Sequence, residues 1–188
     1  MNDSGHHYIF GQLEDYLTGR RLTDTHDERY RQRLARLLVE SCGYAPEEIA
    51  ARIPLIVTAG NRKARITVDF AISLDFRVCM VIQYGPGSLV TRYRPALAIS
   101  RMIASHQIPI VVVTNGEQAD ILDGRTGKVL GSGLDAIPGR ETLRVLADRH
   151  GFEAISAGRL EKESRILYAF EVDDRCPCDD GVCREDVT

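Results

Sequence analysis

A single carboxylate with an amide across from it is the pair in this 188-residue sequence whose types and spacing most invite chemistry. Asp69 lies within Ala64 to Ile72, where Ile66, Val68, Phe70 and Ile72 alternate with Thr67 and Asp69. A strand sends those two sets to opposite faces. Val78 to Tyr84 is a nearly unbroken apolar run, the pattern of a strand covered on both sides. The link Ser73 to Arg77 is short enough for a hairpin. Pairing symmetric about Phe76 sets Asp69 opposite Gln83, with Cα atoms roughly 4.5–5.5 Å apart, and Gly85 shares the face of Gln83. Two readings of Asp69 stand: the chemical centre of a buried sheet, or a hairpin carboxylate bonded to a neighbouring arginine such as Arg65.

Two further groups of residues suit ligands. Tyr84-Gly85-Pro86-Gly87-Ser88 is a glycine-rich loop whose free backbone amides could receive an anion. Arg92 and Arg94 follow it, so Gly85, Gly87, Ser88, Arg92 and Arg94 form a candidate phosphate or carboxylate site. Near the end of the chain, Cys176, Cys178 and Cys183 are close enough to bind Zn²⁺ with a fourth ligand from elsewhere. Their spacing matches none of the paired C-x-x-C patterns, and a reduced tail is the other reading.

The elements that must position these residues are legible from periodicity. Thr25 and Glu28 have capping-box spacing, and Tyr30, Leu34, Leu37, Leu38 and Cys42 then recur as on a helix up to Gly43. Arg29, Gln32, Arg33 and Arg36 lie off that stripe and make a cationic face, either solvated or turned to phosphates. Ile9 to Leu17 reads as a turn or short helix, Pro46 to Ile53 as a short helix opened by proline, and Pro54 to Val57 as a strand. Pro95 to His106 is a predicted helix, and Ile108 to Thr114 a buried strand closed by the Asn115-Gly116 turn signal. Strand, helix, strand over 78–114 is a crossover unit with parallel strands. Ala119 to Asp123 is another strand and Gly131 to Pro138 a loop. Arg140 to His150 is a helix, and Leu160 to Val172 another, built on Ile166, Leu167 and Phe170. The class is α/β with a mixed sheet flanked by helices. Residues 1–172 form one domain, and 173–188 a cysteine-containing tail.

Composition narrows the function classes. Hydrophobic residues make up 44% and charged ones 27%, ordinary for a globular protein. A net charge of −3 argues against a non-specific nucleic-acid coat. No apolar run approaches the ~18–20 residues of a membrane span, and the N-terminus has no signal-peptide character, which places the chain in the cytoplasm. The lysines are Lys63, Lys128 and Lys162, with arginine supplying the rest of the positive charge. That bias follows from a GC-rich genome or from phosphate recognition.

From about Thr25 to Asp123 the chain resembles the restriction-endonuclease-like, PD-(D/E)XK, fold, and in particular the N-terminal domain of the R subunit of type I restriction enzymes. The resemblance rests on the helix beginning Asp27-Glu28, on Val68-Asp69-Phe70, on Val81-Ile82-Gln83-Tyr84-Gly85, and on Val113-Thr114-Asn115-Gly116 after the crossover helix. It implies that Asp69 occupies the place of the first carboxylate that holds Mg²⁺, with Glu28 as the acidic residue from the first helix. Gln83 stands where the second carboxylate belongs and Gly85 where the lysine belongs. The glutamine and tyrosine of active members are missing from the crossover helix, which offers Ser100 and Ser105. The resemblance therefore implies a catalytically impaired nuclease-like domain that binds nucleic acid or a restriction-system partner, through Arg29 and Arg33 and the Gly85–Arg94 loop. The alternative is an active Mg²⁺-dependent DNA endonuclease using Asp69, Glu28 and Gln83. Enzyme activity and oligomeric state stay open.

Overall fold

The Asp69 hairpin is the middle of the sheet. The structure, a computed structural model, describes residues 9–173 and the backbone of 183–185. β4 (Arg62–Leu74) and β5 (Arg77–Tyr84) are joined by Asp75-Phe76, both with positive φ (48° and 63°), as a tight two-residue hairpin turn requires. Leu74 pairs with Arg77 and Ser73 with Val78. A bulge then makes Cys79 the extra residue, so that Ile72 pairs with Met80 and Phe70 with Ile82. The bulge restores a register centred on Phe76, and one further step brings Asp69 opposite Gln83.

β3 (Ile49–Ala59) lies antiparallel to β4, and β6 (Ile110–Thr114) parallel to β5. β7 (Ala119–Asp123) and β8 (Val129–Ser132) continue antiparallel, giving the order β3-β4-β5-β6-β7-β8. β9 (Cys183–Glu185) pairs with Lys63 to Arg65 at the start of β4. The parallel pair is bridged by α2 (Tyr93–Ile99), as a crossover requires. The mixed sheet flanked by helices is a restriction-endonuclease-like α/β fold.

Helices bury both faces. α1 (His26–Arg36) and α3 (Arg140–Asp148) enclose one core, where Leu34, Leu38 and Leu143 meet Phe70, Ile72, Met80 and Ile82. On the other face, α2 and α4 (Ala157–Tyr168) set Ile99, Leu167 and Tyr168 against Val57, Ile66 and Val68, and Ala96 against Ala71 and Val81. Ile66, Val68, Phe70 and Ile72 therefore do not share one face as a flat strand would have them. Ile66 and Val68 belong to the α4 core, and Phe70 and Ile72 to the α1 core. The changeover falls at Asp69, opposite Arg52 of β3, whose φ of 53° is rare for a side-chain-bearing residue.

Several local expectations are corrected. Ile9 to Leu17 is no helix: β1 (Gly11–Glu14) pairs with β2 (Arg21–Asp24) in a hairpin. After Pro46–Glu48, a single 3₁₀ turn, β3 begins at Ile49, because pairing Ala50 with Ala71 and Ala51 with Phe70 outweighs the helix preference of alanine. α2 stops at Ile99, where Ser100 turns its carbonyl to the Ile108 N–H (3.1 Å). The segment 131–138 is not all loop, since β8 runs to Ser132. α4 begins at Ala157, and its inward row is Glu163, Ser164, Leu167 and Tyr168. Phe170 is 42% exposed, because the helix widens into a π-turn after Tyr168 and its faces rotate. Among the described residues no helix is long and apolar enough to cross a membrane.

The Asn115-Gly116 turn carries a testable constraint. Asn115 Oδ1 accepts the N–H groups of Glu117 (3.1 Å) and Gln118 (2.8 Å), and Gly116 has φ 88°. A Cβ there would fall 2.2 Å from Cδ1 of Tyr30 on α1. Gly116→Ala combines a strained φ with a clash, and is expected to destabilise the fold by about 2–3 kcal/mol, read as a lowered thermal midpoint.

Candidate functional site

Where the β4–β5 ladder runs out, side chains take over its hydrogen bonding. Gln83 Oε1 accepts the Asp69 N–H and its Nε2 donates to the Thr67 carbonyl, both at 3.4 Å. The Tyr84 N–H donates to Asp69 Oδ2 at 2.8 Å. The two strands splay here, and Asp69 and Gln83 fill the gap between their main chains. Asp69 is 2% exposed and Gln83 8%.

α1 lies against this gap, and its first turns supply the remaining partners. Thr25 caps it, accepting the Glu28 N–H at 3.1 Å, but the Glu28 side chain does not return to complete the box. It accepts from Gln32 Nε2 (2.8 Å) and from Arg52 Nη2. Arg52 also reaches Asp15 at 3.4 Å, and Asp15 accepts from Gln32 (2.9 Å) and Thr18 (2.5 Å). The kink at Arg52 thus carries its guanidinium to two acidic groups at the edge of α1. Burial alone would raise the Asp15 pKa, but Thr18, Gln32 and Arg52 outweigh it and hold the carboxyl below its usual range.

Arg31 is the residue that joins the two candidate ligands. Its Nε donates to Asp69 Oδ1 at 2.5 Å, and its Nη1 stands 3.8 Å from Glu28 Oε2. Its Cζ lies 5.5 Å from the centre of the Tyr84 ring, which stacks on Tyr30 and donates through its hydroxyl to Asp27 at 3.1 Å. Burial alone would lower the Arg31 pKa, but Asp69, aided by Glu28, outweighs it and raises it. The guanidinium sits between Asp69 and Glu28, where a cation shared by the two would have to lie.

The anion-loop residues go elsewhere. A Cβ built on Gly85 would fall 2.9 Å from Cζ of Arg92, so the Arg92 guanidinium occupies the space a side chain at 85 would need. Arg92 also stands 4.0 Å from Glu171. Arg94 pairs with Glu163 of α4 at 2.6 Å. Gly87 takes φ 88° and receives Asn115 Nδ2 on its carbonyl at 3.4 Å, while the Ser88 carbonyl accepts from Thr91 (2.8 Å). On the opposite face, Arg29 is held by Asp24 (2.6 Å), and Arg33 lies 4.2 Å over the Tyr30 ring. With Arg36 these two line a groove of about 470 Å³ between α1 and the β1–β2 hairpin. Arg29 and Arg33 therefore come together, and Arg92 and Arg94 do not join them.

Residues 26–138, from the first residue of α1 to the turn before α3, match the family model described as type I restriction enzyme R protein N terminus. The chain belongs to this family. No curated protein and no solved structure matches the chain. Every residue around Asp69 named above except Asp15, Thr18 and Thr25 lies inside the matched segment, whereas α3 and α4 lie beyond it.

As an R protein N-terminal domain the chain invites the test of whether its carboxylates fit Mg²⁺. The donor set does not fit: Asp69 and Glu28 each hold a guanidinium, Gln83 is turned to the main chain, and position 85 has no side chain. Among the described residues no three His, Cys, Asp or Glu side chains stand close enough to share a metal ion. Cys176 and Cys178 lie outside the described residues, and of Cys183 only the backbone is described, as part of β9. Sequence reasoning missed Arg31 and Arg52. Arg31 was accessible as the residue three after Glu28, and so on the same helix face. Arg52 carried no signal, since its role depends on a backbone kink.

Proposed function

We propose that this domain is a nuclease-like module of a restriction system that engages DNA and has lost phosphodiester hydrolysis. The observation that carries this reading is Arg31 Nε, 2.5 Å from Asp69 Oδ1, with the same guanidinium facing Glu28. A fixed internal cation neutralises the two acidic groups that hydrolysis would need for a metal. DNA is engaged through the groove where Arg33 and Arg36 stand beside the Arg29–Asp24 pair, since guanidinium forks suit phosphate oxygens. Other restriction-system subunits are the partners that the family name suggests.

One observation favours a second reading, that of an active Mg²⁺-dependent endonuclease. The Arg92 guanidinium lies over Gly85 and brings positive charge to the place where the resemblance puts a lysine. That reading requires Arg31 to leave Asp69.

A plasmid-nicking assay with Mg²⁺ or Mn²⁺, run beside a gel-shift assay, decides between them. The wild-type chain is expected to shift duplex DNA without nicking it. The double variant R33E/R36E is expected to weaken the shift by about tenfold or more and to flatten its salt dependence. Metal-dependent nicking that disappears in D69N would overturn the proposal in favour of the enzyme.

A further inference from the structure

On the α2–α4 face, the first turn of α4 and the segments following α2 and β7 border an open cavity of about 720 Å³. That is within the range of small-molecule sites, roughly 300–1,000 Å³. Five cationic side chains line it, Arg94, Arg101, Arg125, Arg159 and Lys162, against two acidic ones, Glu153 and Glu163. Apart from Arg94, which the resemblance placed in the anion loop, the nuclease-derived reading uses none of these groups, and α4 lies beyond the segment that matches the family.

Glu163 is the frame of the cavity. It is 1% exposed, its Oε1 accepts from Arg101 Nη1 at 3.1 Å and from Arg159 Nε at 2.6 Å, and its Oε2 stands in an ion pair 2.6 Å from Arg94 Nη2. One carboxylate can balance one of three guanidiniums, so it fixes the direction of the arginines and leaves most of their charge unmatched. Arg94 Nη1 is buried with no hydrogen-bond acceptor among the described residues. Burial, with Arg159 and Arg94 close by, pushes the Arg101 pKa down in spite of Glu163, as expected where cations outnumber anions. The first turn of α4 adds to the same field: it contains no acidic residue, and the Ser156 hydroxyl makes no capping bond.

Clustered guanidinium forks, an ammonium and a helix N-terminus have one common complement, the phosphate group. Ile155 and Ile166 add an apolar wall that a bare ion would not need. We propose that this cavity binds a phosphate-bearing ligand of nucleotide size carrying two or more negative charges. Two sources share that chemistry: a free nucleotide polyphosphate, and the 5′-phosphate at the end of a nucleic-acid strand.

Calorimetric titration of the full chain with inorganic pyrophosphate, followed by competition with ATP and with short oligonucleotides, tests the assignment and separates the sources. Pyrophosphate is expected to bind one per chain. R125E and K162E, both exposed and free to change without disturbing the core, are each expected to weaken it by about tenfold or more. R20E, on the β1–β2 turn, is expected to leave it unchanged. Competition by ATP identifies a free nucleotide. Competition by a 5′-phosphorylated oligonucleotide, and not by its 5′-hydroxyl counterpart, identifies a strand end. Absence of pyrophosphate binding, binding indifferent to both R125E and K162E, or competition by neither ATP nor the phosphorylated oligonucleotide would overturn the proposal. So would displacement by closed-circular duplex DNA, which has no strand end and would make the cavity part of a backbone track.

Discussion

Alanine at position 69 is expected to loosen the whole domain. Asp69 accepts the Tyr84 N–H on one oxygen and Arg31 Nε on the other. Its removal leaves a buried main-chain donor without its acceptor and a guanidinium with the more distant Glu28 and Asp27. An unpaired buried donor costs about 1–3 kcal/mol, and breaking a buried ion pair about 3–5. The Arg31 side chain is 28% exposed and regains some water, so the expected loss is about 2–4 kcal/mol, read from urea unfolding. Asp69→Asn keeps a carbonyl oxygen for one of the two donors and should lose less. In a double-mutant cycle, R31A with D69A should destabilise by less than the two single changes added together, with a coupling on the order of 1 kcal/mol or more. A carboxylate kept for metal chemistry behaves in the opposite way, because its removal relieves repulsion from the other acidic ligands of a site without its metal. D69A as stable as the wild type would therefore sink the reading of Arg31 as a permanent internal counter-ion.

The parts of the fold visible in the sequence are those fixed by alternation and local stereochemistry. Asp69 opposite Gln83 followed from counting outward from Phe76, and it survives because the Cys79 bulge compensates for the off-centre Asp75-Phe76 turn. Thr25 announced the start of α1, and Asn115-Gly116 the turn after β6. What stayed hidden depends on side chains far apart in the chain. The change of core at Asp69 arises from the kink at Arg52, which no periodicity encodes, so Val68 and Phe70 looked like neighbours on one face. The same holds for the ion pairs. Of the two readings of Asp69 the sequence allows, the bonded one points to Arg65, four residues back on its own strand, while the hydrogen-bonded arginine on its Oδ1 comes from α1. Glu163 was passed over because an acidic residue in a helix is ordinarily solvated. Its place in the inward row with Ser164, Leu167 and Tyr168 was the available sign that something cationic had to meet it.

That meeting makes Glu163 the second position where one substitution has a large effect. Glu163→Gln removes the carboxylate on which, among the described residues, Arg94, Arg101 and Arg159 converge and leaves three guanidiniums facing one another across α2 and α4. Arg94 and Arg159 are partly exposed and can swing into water, whereas the Arg101 side chain is 9% exposed and cannot. The expected loss is about 2–4 kcal/mol at neutral pH, after discounting the exposed partners. The pH profile gives an independent check. Burial alone would raise the Glu163 pKa, but Arg94, Arg159 and Arg101 outweigh it and hold the carboxyl below its ordinary value of 4.5. As pH falls, the unfolded chain takes up this proton before the folded one does. The contribution is therefore complete above about pH 4.5 and is lost as pH drops through the lower, folded-state value. In E163Q that part of the acid limb is missing, so its stability should fall less steeply than that of the wild type below about pH 4.5. Parallel acid limbs in the two proteins would mean that folding does not lower the Glu163 pKa and that the arginines are held by something else.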